Sequence, residues 1–140
     1  MANFVTNSFR NMELGTGTRV DLDADTIKGM FVDQADDTPA VTDDFIDDIL
    51  SAARVPAIGS CPSLGSKTIG SVGVGVFDAA DTVFTALTGD QSEWLILFKD
   101  TASEPTSDVI CAWDTATGLP LTPNGADVTV VWAAGGILQS

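Results

Sequence analysis

Trp94-Leu95-Ile96-Leu97-Phe98, Val109-Ile110-Cys111-Ala112-Trp113 and Val128-Thr129-Val130-Val131-Trp132 are the three apolar runs, all between Glu93 and Trp132, whose reading decides the fold. Each is too short for a typical helix and is bounded by Asp, Gly, Pro, Thr or Asn, so each reads as a buried β-strand. The first run is apolar on both side-chain parities. Such a strand has to be covered on both faces, by a second layer, a neighbouring subunit or both. All three Trp residues fall in these runs, which places most of the large aromatic area in one sheet. The connections are equally legible. Lys99 to Ser107 is polar around Pro105, and Asp114 to Ala126 carries Gly118, Pro120, Pro123 and an Asn124-Gly125 pair that tolerates positive φ. The expected arrangement of the three strands is an antiparallel meander.

Composition sets the outer bounds. With 140 residues the chain is expected to form one domain, burying roughly 70% of its unfolded surface. A hydrophobic fraction of 44% beside 19% charged residues marks a globular protein despite a net charge of -14. Twenty acids against six bases repel nucleic acid and anionic membrane alike, so no direct nucleic-acid or membrane partner is expected. No run approaches the roughly 18 apolar residues of a transmembrane helix. The amino terminus, Met1 to Asn7, lacks the basic and apolar regions of a secretory signal, and use without Sec-type export is expected. Cys61 and Cys111 stand far apart in unlike contexts, one before Pro62 and one inside a strand. Free thiols in a reducing compartment are the expected state.

Taken in order, residues 1–20 read as an amino-terminal arm or short helix and residues 21–140 as a single β-rich domain. Phe4, Val5, Phe9, Met12 and Leu14 are loosely spaced like one helix face, and Gly15-Thr16-Gly17-Thr18 stops that pattern. These side chains are available either to the parent domain or to a partner. Phe4, Phe9, Arg10 and Met12 are therefore candidate partner contacts, together with Trp94. Residues 21–48 hold ten Asp against the single base Lys28. Within them Thr26 to Val32 reads as a strand giving Ile27, Met30 and Val32 to a core, with Gly29 marking a bulge or a close backbone approach. Thr42 is placed to cap a short helix over 43–50, with Asp43 and Asp44 at its positive end and Phe45, Ile46, Ile49 and Leu50 as its buried stripe. Residues 51–75 are punctuated by Pro and Gly. Val72, Val74 and Val76 alternate there with glycines at period two, which reads as a strand rather than a dinucleotide-binding loop, because no helix or βαβ unit follows. Thr82 to Thr88 forms the next strand. Strands about ten residues apart without intervening helices predict an all-β, mainly antiparallel β-sandwich or jelly-roll-like domain.

Chemical motifs are sparse. Asp21-x-Asp23-x-Asp25 has the alternating oxygens that open a calcium loop, but Thr26 stands where a Gly is needed and Val32 where a bidentate Glu is needed. A solvated acidic edge is the better account, so no metal is expected. Asp43-Asp44 and Asp47-Asp48 are better explained by capping and solubility than by acid/base work. The chain has no His and no Tyr, which removes His-based nucleophile triads, His metal sites and Tyr acid/base catalysis. Two distant cysteines cannot make a zinc site, and no phosphate-cradling loop is present. Neither an enzymatic activity nor a cofactor is expected.

Leu22-Asp23-Ala24-Asp25-Thr26-Ile27-Lys28, Thr42 to Ile49, Phe84-Thr85-Ala86-Leu87-Thr88-Gly89-Asp90, Leu97 to Thr101, Asp114 to Pro120, and the closing Thr122 to Trp132 with Gly135-Gly136-Ile137-Leu138 form an ordered set of turns and strands. In that order they resemble the small virion structural proteins of tailed bacteriophages and prophages. The resemblance covers most of the chain from residue 21 onward and is weakest at 51–70. It implies a mainly β virion component present in many copies, without enzymatic activity. An acidic domain that avoids DNA belongs outside a packaged head or on the tail. The expected role is a head decoration or cement protein on the outer head surface, made in the bacterial host cytoplasm. Its expected partners are the major capsid protein or other virion proteins and itself, as a homo-oligomer joined through the doubly apolar strands, with a trimer as the expected geometry. A tail or head-fibre component is the close alternative. A calcium-dependent or carbohydrate-binding β-sandwich module, using the Asp cluster and an exposed Trp, is the alternative from another class.

Overall fold

The computed structural model describes residues 3–15, 17 and 19–139. Met1, Ala2, Thr16, Thr18 and Ser140, which include parts of the expected arm and of the Gly-Thr repeat, lie outside the described residues. The chain is mostly β and antiparallel. Its elements are β1 Phe4–Val5, α1 Asn7–Glu13, β2 Ile27–Val32, β3 Arg54–Val55, β4 Thr68–Ile69, β5 Val76–Asp78, β6 Thr82–Phe84, β7 Trp94–Lys99, β8 Val109–Trp113, β9 Val128–Val130 and β10 Leu138–Gln139. One sheet has the order β1-β8-β7-β2-β3, a second β10-β5-β4, and a third pairs β6 with β9.

β7 is the middle strand of the large sheet, and its double apolarity is answered inside the chain. Trp94, Ile96 and Phe98 enter a core with Met30, Val32, Ile46, Ile49, Ala53 and Val109. Leu97 points the other way, toward Phe9, Met12, Phe77 and Ile110, and Leu95 toward Phe31, Phe84 and Leu87. One face is thus covered by the irregular segment around residues 45–61, and the other by α1 and the two small sheets. The result is sandwich-like, with an additional layer that has no regular strand. β2 pairs with β7 from Ile27↔Lys99 to Val32↔Trp94 without a break. Between β7 and β8 the register shifts at Leu97/Phe98, and that bulge lets consecutive residues Ile110 and Cys111 serve the same core cluster. Gly29 marks the close approach read from the sequence: a Cβ there would lie 3.2 Å from Phe84 Cζ.

The amino-terminal segment is built into the large sheet. Thr6 N–H donates to the Ile110 carbonyl at 3.0 Å, and the Thr6 hydroxyl donates to the Val109 carbonyl at 2.8 Å while accepting from the Phe9 N–H at 3.3 Å. That cap starts α1 and locks it against β8. Phe9 and Met12 are buried beneath it.

Four expectations are corrected. The three apolar runs do not form one meander: β7 and β8 pair, but β9 leaves them and pairs with β6. Trp132 follows β9 outside any strand, so it reaches the aromatic cluster through its ring, 5.8 Å from that of Trp113. The helix expected over 43–50 is a single 3-10 turn, Ile46–Asp48. Its cause is the bridge of Phe45 to Asp108, which holds Phe45 extended and delays helical geometry by several residues. Ile46 and Ile49 are buried as expected, while Leu50 is exposed. The strand expected through Val72 and Val74 is a turn. Gly70 and Gly75 take positive φ, the strand begins only at Val76, and Val74 is 96% exposed. Glycines every second residue favoured the reversal over the extended run.

Arg54 holds the irregular layer in place. Its buried guanidinium donates to the carbonyls of Ile46 at 3.0 Å and Ile49 at 2.7 Å and to Glu104 Oε1 at 2.7 Å. It joins the 3-10 turn Ile46–Asp48 to a second one, Glu104–Thr106. Arg54→Ala strips partners from three acceptors at once and is expected to lower stability by about 2 to 3 kcal/mol. Urea unfolding followed by tryptophan fluorescence measures it, and Arg54→Lys is expected to fall between the two.

Candidate functional site

The residues proposed as partner contacts do not share a surface. Trp94 is fully buried and Phe9 and Met12 nearly so. Phe4 is half-buried, with its ring centroid 5.7 Å from that of Trp94. Arg10 alone is exposed, its Nε donating to the Val5 carbonyl at 3.3 Å. Four of the five therefore serve the interior, since the apolar face of α1 and the rings of Phe4 and Trp94 find partners within the chain.

Charge is sorted by the fold. Arg19 pairs with buried Asp108 at 2.8 Å, Lys28 with Asp100 at 2.7 Å, Arg54 with Glu104 at 2.7 Å and Lys99 with Asp25 at 3.1 Å. Lys67 donates to the Asp25 carbonyl. All six bases thus donate to groups of the chain itself, four of them to carboxylates, and the acids left without a base dominate the exterior. The Lys28 ammonium holds the Asp100 carboxyl below the ordinary carboxylate range. Asp25 is lowered by the Asp21 N–H first and by Lys99 as well.

Many acids close turns. Asp21 Oδ1 accepts from the Asp23 and Ala24 N–H groups and Asp25 Oδ2 from that of Asp21. The segment read as a failed calcium loop thus folds onto its own backbone. Asp37 accepts from Leu50 N–H, Asp43 from Ala40 N–H and Asp48 from Asp44 N–H, at 2.7 to 2.8 Å. Asp43 carries a penalty for this. Burial, followed by the nearby charges of Asp37, Asp48 and Asp44, raises its pKa. A different trio, Asp33, Asp36 and Asp90, brings carboxylate oxygens within 4.8 Å of one another. Oxygen donors at that spacing can hold a hard cation, although Asp33 Oδ1 already accepts from the Ala35 N–H at 2.9 Å. Sequence reading missed this trio because Asp90 reaches the other two only through the β2–β7 pairing.

Both thiols are buried and free. Burial pushes Cys61 up to about 12 and raises Cys111 further still in the same direction. Neither is a thiolate at neutral pH, so neither is poised as a nucleophile.

The remaining feature is apolar and lies where the charge is absent. From Thr115 to Ser140 the sequence has one charged residue, Asp127, and its carboxylate accepts from the Ala86 N–H at 2.8 Å. A groove of about 570 Å³ opens there, between Phe31 and Leu95 of the large sheet, Leu119 and Leu121 of the preceding loop, and residues 128–131. No charged side chain lines it. The long uncharged tail was the sequence signal that would have found it.

No family model and no curated protein matches the chain. Among the described residues no helix is long and apolar enough to cross a membrane.

Two outcomes follow from these groups. Asp43→Asn removes a carboxylate whose folded pKa is raised above its ordinary 3.8. The folded state binds that proton more tightly than the unfolded one, so ionisation of Asp43 costs stability as pH rises through its folded pKa. The variant is expected to melt higher than wild type at pH 7, with the gain shrinking toward pH 4, as thermal scans across that range would record. A thiol-reactive chromogenic disulfide is expected to leave both cysteines untouched in the folded protein at neutral pH and to titrate both in denaturant.

Proposed function

We propose that this chain is a non-enzymatic structural protein of a tailed-bacteriophage virion, a decoration protein bound in many copies to the outer surface of the head. The observation that carries the reading is the sorting of charge. With its bases engaged by the chain itself, a protein of net charge -14 turns an acidic exterior outward, which favours a station away from packaged DNA. The turn-and-strand motifs that resemble small phage virion proteins supply the class. A chain without His or Tyr, whose two thiols are buried and protonated, supports a scaffold over a catalyst. Its proposed partners are the major capsid protein and further copies of itself, and its site of synthesis is the bacterial host cytoplasm.

Contacts with the coat would use the acidic exterior against basic coat surfaces, so attachment should weaken as salt screens the charges. The test is immunogold electron microscopy on phage or induced-prophage particles from the producing strain, with antibody raised against the purified chain. Dense label over head exteriors is the expected result, fading after a high-salt wash. Label confined to tails would replace the head with the tail or fibre reading, and particles free of label would end the virion reading altogether.

A further inference from the structure

We infer that the uncharged groove between β9 and the large sheet is a binding site for one small, neutral, largely apolar molecule. This goes beyond the proposed function and is independent of it, since it stands on how the chain fills its own interior.

The first observation is a core left unfinished. Around Trp94, eleven buried residues are joined by only two half-buried apolar ones. Around Phe31, five buried residues are joined by six half-buried ones. Four of those six, Leu119, Leu121, Val128 and Val130, line the groove, and Phe31 and Leu95, each 4% exposed, form its base. Apolar walls give water few partners, so a molecule that displaces it completes a core the chain leaves open.

The second is shape. The volume of about 570 Å³ lies within the roughly 300 to 1,000 Å³ of small-molecule sites. A second cavity, of about 170 Å³ with Glu13 in its wall, falls short of that range. Both walls of the larger groove are fixed by backbone pairing. Ser92 and Leu121 exchange N–H···O=C bonds of 2.8 Å each, which ties the loop ending at Leu121 to the approach to β7, and β9 is held by β6. A cleft walled in this way by the chain itself is built before a ligand arrives, so filling it costs little ordering.

The third is charge. The lining side chains are apolar except for the hydroxyls of Thr117 and Thr129. An ion of either sign finds no counter-charge there, and an anion is repelled as well by a protein of net charge -14. A neutral molecule with few polar groups is what such a lining selects.

Fluorescence titration of the full chain tests the site with two dyes that share one ring system, the neutral N-phenylnaphthylamine and the anionic anilinonaphthalene sulfonate, each bright only in apolar surroundings. The neutral dye is expected to bind one to one in the micromolar range, and the sulfonate at least about tenfold more weakly. Leu119→Asp puts a carboxylate in the wall and is expected to weaken the neutral dye by at least about tenfold. Thr117 is exposed, so Thr117→Arg keeps the fold; at low salt it is expected to tighten the sulfonate by about threefold and to leave the neutral dye unchanged. Val74→Arg makes a similar gain of positive charge at a residue 96% exposed outside the groove and is expected to change neither affinity. No saturable binding of the neutral dye, equal binding of the two dyes, or an unchanged affinity in Leu119→Asp would overturn the site. So would equal effects of Thr117→Arg and Val74→Arg on the sulfonate. Neutral-dye binding that falls as protein concentration rises, with a dimer in sedimentation equilibrium, would hand the groove to a second copy and overturn it as well.

Discussion

A central strand apolar on both faces is the constraint from which the rest of this structure follows. Trp94 through Phe98 cannot meet water on either side, so the chain has to supply two covering layers as well as two flanking strands. β2 and β8 flank β7. One covering layer is built from α1 and two small sheets, the other from a segment with little regular structure. The second solution leaves many backbone groups without ladder partners, and this explains the local chemistry. Aspartate carboxylates accept from the N–H groups of Leu50, Ala40 and Asp44, and the Arg54 guanidinium donates to the carbonyls of Ile46 and Ile49. Charged side chains stand here where secondary structure would otherwise satisfy the backbone.

The acidity of the chain therefore has two parts with different physical roles. One part is structural, spent on turns and on ion pairs with the few bases. The other is left facing solvent, because internal pairing has removed the cations that would have balanced it. Surface ion pairs contribute little to stability, but Asp108 is 2% exposed and Arg54 5%, so these pairs sit where losing one partner matters. The same sorting that organises the interior sets the outer field, and that field limits what the protein can approach. A field of that sign favours basic or uncharged surfaces over phosphate-rich ones.

The apolar groove marks the boundary of this arrangement. Phe84 of β6 packs over Gly29, where a Cβ would come within 3.2 Å of the ring, and β9 pairs with β6 rather than with the large sheet. Moving β9 off the large sheet opens the space that Leu119 and Leu121 line and exposes a strand edge without protective charge. The stretch from Thr115 onward is one of two long segments poor in acids, and residues 49–77 hold none.

By itself the sequence determined the class of fold and the identity of the central strands, and left open whether the chain or a neighbouring copy covered them. Short apolar runs between turn residues, and a strand greasy on both parities, are local patterns that admit few alternatives. It also marked Gly29 as a bulge or a close approach and Asn124-Gly125 as a reversal, where Gly125 takes φ +86, since glycine answers a local backbone demand. Only the tertiary structure decided which strands pair, where Phe45 stops being helical, which acids serve the backbone and which meet at Asp33, Asp36 and Asp90. Those outcomes depend on partners distant in the chain, such as Asp108 for Phe45 and Phe84 for Gly29, and no local pattern encodes a contact whose other half lies tens of residues away.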